Sequence, residues 1–123
     1  MKAYYSPSYE LELPGHIWPT SKYRLIAERL SGRVDLAAPQ PASWDDLALV
    51  HTSDYLAKLR GGSLSAEEIA TLELPWTKTS ALADPFRLMV GGTCGAAAAA
   101  LDDGRAAHLG GGLHHAFANH GEG

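Results

Sequence analysis

The chain has 123 residues, 46% hydrophobic and 20% charged, and ten Lys and Arg against fourteen Asp and Glu leave a formal charge of -4. This length holds one hydrophobic core and falls short of the size at which chains divide, so residues 1–123 read as a single globular unit. Thinly spread basic residues exclude a nucleic-acid surface, a single cysteine (Cys94) excludes an internal disulfide and a thiolate metal cluster and fits a reducing cytoplasm, and the lack of any long apolar run excludes a signal peptide and a membrane partner.

In chain order, Lys2 to Tyr5 in "MKAYYS" are β-prone and end at Ser6-Pro7, so they predict a first strand. A proline-rich loop, "SPSYELELPGHIWP", follows. Thr20 or Ser21 then caps a helix whose apolar residues Tyr23, Ile26, Ala27 and Leu30 recur at helical spacing up to Ser31-Gly32. "VDLAAPQPA" reads as a proline-broken connector. Ser43 caps a short helix with Asp45 and Asp46 in its first turn, where the helix dipole favours acids. "TSDYLAKLRGG" repeats that logic with Thr52 or Ser53 as cap and Gly61-Gly62 as stop, and "SAEEIATL" makes a third short helix. "ELPWT" reads as a loop.

A longer helix is expected over "DPFRLMVGGTCGAAAAALDDG", with Pro85 in its first turn and Gly104 at its end. Gly91, Gly92 and Gly95 each cost about 1 kcal/mol of helix propensity relative to Ala, which predicts close backbone packing in compensation. Small residues from Ala96 to Ala100 fit a helix lying tightly on a sheet. A short strand over Ala106 to Leu109 and a glycine loop complete the order helix, strand, loop. The class implied is α/β with a mostly parallel sheet and sites at the carboxyl ends of its strands.

The last segment, "GGGLHHAFANHGEG", spans Gly110 to Gly123. Neighbouring side chains at a strand-to-loop transition point different ways, so His114 and His115 are poorly placed to share a metal but can address one reacting atom from two sides. Imidazole takes and returns a proton near neutral pH. Two plainer readings stand beside that one: exposed loop histidines, or a metal site made of His114, His115 and His120. His108 is expected to be a hydrogen-bonded core residue, His120 a solvated one, and His51 the end of a helix.

Four segments, "GHIWPTSKYRLIAERL", "LALVHTSDYLAKL", "GGTCGAAAAAL" and "GGGLHHAFANHGEG", occur in this order, and with them the chain resembles the N-terminal third of the histone deacetylase family, including bacterial and class IV-like members. The resemblance implies the N-terminal part of an arginase-like parallel-sheet fold and zinc-dependent removal of an acyl group from an acetyl-lysine or other acylated amine. It implies that His115 takes a proton from the attacking water and passes it to the leaving amine, and that His114 contributes positive charge beside that water. Gly123 matches a glycine on the wall of the acyl tunnel. Lys22 falls where many members carry an arginine that binds the acetate product, and is a departure from that pattern.

In the family the zinc ligands lie downstream of the histidine pair, whereas Asp102 and Asp103 precede it. Zinc is therefore expected for the complete enzyme and none for residues 1–123, which alone are expected to be inactive. Two other readings are a non-catalytic module that pairs with a complementing chain and a small histidine-based metal-binding protein. Protein lysine, polyamine and small-molecule substrates all remain open.

Overall fold

Residues that alternate between strand-forming and helix-forming stretches fold as their patterns direct. A computed structural model describes residues 1–13, 15–74 and 82–123. Its elements are β1 (Lys2–Tyr4), a 3-10 turn (Pro7–Tyr9), α1 (Ser21–Leu30), β2 (Asp35–Ala37), α2 (Trp44–Ala48), α3 (Ser53–Gly61), α4 (Ala66–Leu72), α5 (Ala83–Asp103) and β3 (Ala106–His108). They gather into two units, Met1–Ala42 with Pro85–Gly112 and Ser43–Asp84 with Leu113–Gly123. Pro14 and the end of the "ELPWT" loop, 75–77, lie outside the described residues.

The first unit is built on a three-stranded parallel sheet in the order β2-β1-β3, with Ala3 opposite both Leu36 and Ala107. Each parallel pairing needs a crossover, and the helices between the strands supply it. The connector expected over "VDLAAPQPA" is in part a strand: β2 pairs along β1, and Tyr5 N–H donates to Ala37 O at 3.0 Å. Three residues with two side chains exposed carry no hydrophobic alternation, so the prolines after them dominate the pattern.

Helix α5 supplies the close packing that its glycines predict. A Cβ on Gly91 would overlap the Gln40 carbonyl oxygen, one on Gly92 would overlap the His108 ring, and one on Gly95 would stand 2.9 Å from the Tyr4 ring. Pro85 sits in the first turn, and Gly104, at φ +75°, follows the last. Tyr9, Tyr23 and Met89 are buried, with Tyr5, Trp18, Phe86 and Leu88 packed against them. Thr20 does not cap α1 with its side chain. Instead its buried hydroxyl accepts from Leu11 N–H and donates to Leu11 O, both at 2.9 Å, clamping the preceding loop.

His108 has partners at both ring nitrogens, as expected of a core histidine. Gly111 N–H donates to Nδ1 at 3.2 Å, so Nδ1 is an acceptor, the Thr93 hydroxyl lies 3.1 Å from it, and Nε2–H faces the Tyr9 hydroxyl at 2.9 Å. Tyr9 donates onward to Leu88 O at 3.3 Å, and burial pushes its pKa up to about 12.

In the second unit the caps fall where the sequence puts them. Ser43 with Asp46 and Ser65 with Glu68 form capping boxes, Thr52 accepts from Tyr55 N–H, and Gly62 closes α3 in the left-handed region at φ 62°. The hydrogen bond from Lys58 Nζ at 2.6 Å, then that from Ser65 N–H, hold the Glu68 carboxyl below its ordinary range. Tyr55, Leu56, Leu64 and Leu72 are buried.

Two outcomes follow. Helix propensity favours Gly91→Ala by about 1 kcal/mol, but the Gln40 backbone cannot yield cheaply, so the substitution should lower stability by about 1–3 kcal/mol in urea melts; a rise would disprove the close approach. Burial also holds the His108 pKa below its ordinary 6.5. As pH falls through 6.5 the unfolded chain takes up a proton that the folded chain refuses, so this contribution to stability is full above that value and is lost on acidification. The urea midpoint should therefore fall further between about pH 7.5 and about pH 5.5 in the wild type than in His108→Gln.

Candidate active site

Leu109 N–H donates to Tyr4 O at 2.9 Å, extending the β1–β3 ladder by one residue before the chain leaves the sheet. Gly111 adopts φ +101°, a conformation that a side chain would strain, and a Cβ on Gly110 would come within 2.8 Å of the Tyr9 ring. The glycine run is thus required twice, once for its backbone angle and once for its lack of bulk. It closes the first unit at Gly112, and Leu113 begins the last segment of the second.

His114 and His115 are exposed, with ring centroids 4.3 Å apart and planes at 87°. The backbone behind them is tied down. Glu122 N–H donates to His115 O at 3.0 Å, Ala116 bridges Gly121 in antiparallel fashion, and Phe117 N–H donates to His120 O at 3.0 Å. The Phe117 and His120 rings stack at 4.3 Å with 5° between planes. His120, expected to be only solvated, also pairs with Asn119 Oδ1 at 2.8 Å and lies 3.4 Å from Glu122 Oε1.

Two further bonds fasten this turn within its unit. Thr52 N–H donates to Ala118 O at 2.8 Å, and His51 Nδ1 lies 2.9 Å from Phe117 O. His51 lies three residues past Ala48, where α2 stops with Leu49 as its cap; its N–H still donates to Leu47 O at 2.9 Å, and its ring is what reaches Phe117. Its partner is 66 residues away, so no local pattern signals it. Gly123 N–H donates to Thr71 O at 3.1 Å, at the end of α4.

The structure thus places His114, His115 and Gly123 in one unit and Lys22 in the other. Lys22 is exposed near the start of α1, its ammonium 5.3 Å from the Tyr23 ring centre. Among the described residues no three His, Cys, Asp or Glu side chains converge to hold a metal, so His114, His115 and His120 make no such site together, and these residues do not by themselves fit a zinc ion. A cleft lined by Tyr55, Leu64, Thr71, Leu72 and His120 has a volume of about 190 Å³, below the few hundred Å³ typical of ligand pockets.

A family model, the histone deacetylase domain, matches residues 16–123. The acetoin utilization protein AcuC of Bacillus subtilis is 38% identical over 92% of this chain and 33% of its own length. Histone deacetylase 2 of Arabidopsis thaliana is 32% identical over 97% of the chain and 34% of its own, and an uncharacterized protein of Picosynechococcus is 33% identical over 97% and 41%. The chain spans between a third and about two fifths of the length of these relatives.

A Cβ on Gly123 would stand 2.7 Å from the Leu72 carbonyl oxygen, which belongs to the last turn of α4. Gly123→Ala should therefore lower stability by about 1–2 kcal/mol in urea melts, and an unchanged midpoint would show that this turn yields freely.

Proposed function

Because the chain belongs to the histone deacetylase family, we propose that these residues carry the proton-handling part of an amidohydrolase that removes an acyl group from acetyl-lysine or another acylated amine. The observation that carries this reading is the histidine pair itself, exposed, with rings perpendicular and in contact, preceded by glycines and followed by a hydrogen-bonded turn. Two imidazoles in that relation can address one reacting centre from two directions.

The reaction consumes one water. Its oxygen joins the acyl carbon, the carbon–nitrogen bond breaks, and the amine leaves with a proton. In this reading His115 accepts the proton released by the water and returns it to the amine nitrogen, and His114 supplies hydrogen bonding and positive charge beside it. The backbone bond from Glu122 N–H to His115 O limits the freedom of the chain that presents the ring. Lys22 as a cation for the carboxylate product and Gly123 as a wall of the acyl channel belong to the same proposal and rest on the resemblance of their positions.

Zinc belongs to the proposal too. The resemblance puts its ligands downstream of the pair, and residues 1–123 alone are expected to turn over no substrate. Zinc-dependent deacetylation by the purified 123-residue chain would overturn that part. A second reading, a non-catalytic module completed by another chain, draws on the three-stranded sheet, in which β2 and β3 are the outer strands.

In the complete enzyme, His115→Ala should lower kcat on an acetyl-lysine peptide by about 10²–10⁴-fold, with a smaller loss for His114→Ala. Wild-type turnover in His115→Ala would remove this histidine from the chemistry.

A further inference from the structure

We propose that His51 is a positioning residue for the histidine pair, an inference that rests on the reading of that pair as the proton-handling group. A carbonyl oxygen only accepts, so the 2.9 Å contact between His51 Nδ1 and Phe117 O requires the hydrogen to sit on Nδ1. Phe117 is two residues beyond His115 and belongs to the turn whose far side, Glu122 N–H, holds the His115 carbonyl. The ring thereby fastens the start of α3 to the turn behind the pair, alongside the backbone bond from Thr52 N–H to Ala118 O.

The chemistry of the tether suits an active-site support. Both the neutral Nδ1–H tautomer and the imidazolium donate from Nδ1, so gain or loss of a proton at Nε2 leaves the bond to Phe117 in place. The ring also has a defined seat. Its centroid lies 5.8 Å from that of the Tyr55 ring with 60° between the planes, and Tyr55 is buried in the same unit. A side chain so held can transmit the position of α3 to the backbone of the pair, which the exposed side chains of His114 and His115 do not fix by burial.

The geometry specifies its own substitution test. Asparagine carries its amide nitrogen on Cγ, as histidine carries Nδ1, so His51→Asn keeps a donor at the right place. Glutamine moves the nitrogen one bond further out, and alanine removes it. The test uses the natural full-length protein. Amide hydrogen exchange at Glu122 and Phe117 should quicken about fivefold in His51→Ala and in His51→Gln and return to near the wild-type rate in His51→Asn. Turnover of an acetyl-lysine peptide should follow the same order, with kcat down about tenfold in His51→Ala at nearly unchanged KM, and restored in His51→Asn.

A Glu122 amide that exchanges at the wild-type rate in His51→Ala overturns the proposal, as does an asparagine variant as impaired as the alanine one. If the wild-type protein deacetylates nothing, the functional reading fails, and the exchange rates still decide whether His51 holds the turn.

Discussion

The contact between the glycine face of α5 and the strands of its unit governs what the rest of that unit can do. Gly92 lies against His108 and Tyr9, Gly95 against Tyr4, and Gly91 against the backbone at Gln40. Any side chain larger than hydrogen would push the helix away from β1 and β3 and open the Tyr9–His108 hydrogen bond. That bond is coupled to the next step of the chain, because the same imidazole accepts from Gly111 N–H. Helix packing, sheet and glycine run therefore meet in one ring. Propensity is sacrificed along α5 for this proximity, an exchange that makes sense only where close approach is worth more than the helix loses.

The segment carrying the histidine pair is organised by a different kind of interaction. Most of its side chains are exposed, so little hydrophobic burial holds it, and its order comes from backbone hydrogen bonds at His115, Phe117, Ala118 and Gly123 and from the bond between His51 Nδ1 and Phe117 O. Each such bond is modest alone, about 1 kcal/mol, and several in one short turn restrict it together. Reactive groups commonly stand in this situation, exposed to substrate and steadied from behind. The stacked Phe117 and His120 rings add a hydrophobic element to an otherwise polar turn.

The chain belongs to the histone deacetylase family, and its first unit is built on a parallel sheet in a mixed α/β arrangement. The described residues include an exposed histidine pair and the glycine run before it, and no three His, Cys, Asp or Glu side chains among them converge. A family resemblance that covers a third of its relatives' length carries the identity of the fold more directly than the details of the chemistry.

Local chemistry made much of this protein legible from sequence. Ser43, Thr52 and Ser65 announce helix starts because a hydroxyl before a helix satisfies amides that otherwise have no partner. Gly91, Gly92 and Gly95 announce close packing, and the glycine-flanked histidine pair announces itself by composition and by resemblance. What tertiary structure alone decided depends on residues far apart in the chain. Strand β2 exists because β1 offers it hydrogen bonds, Thr20 clamps Leu11 instead of capping α1, and His108 and Tyr9 are separated by 99 residues. His51 reads as a helix end and is a tether to Phe117. Capping, turn chemistry and propensity act within a few residues and leave a trace in local sequence. A hydrogen bond closed across a long loop leaves none, because each partner is locally an ordinary residue and only the folded backbone brings the two together.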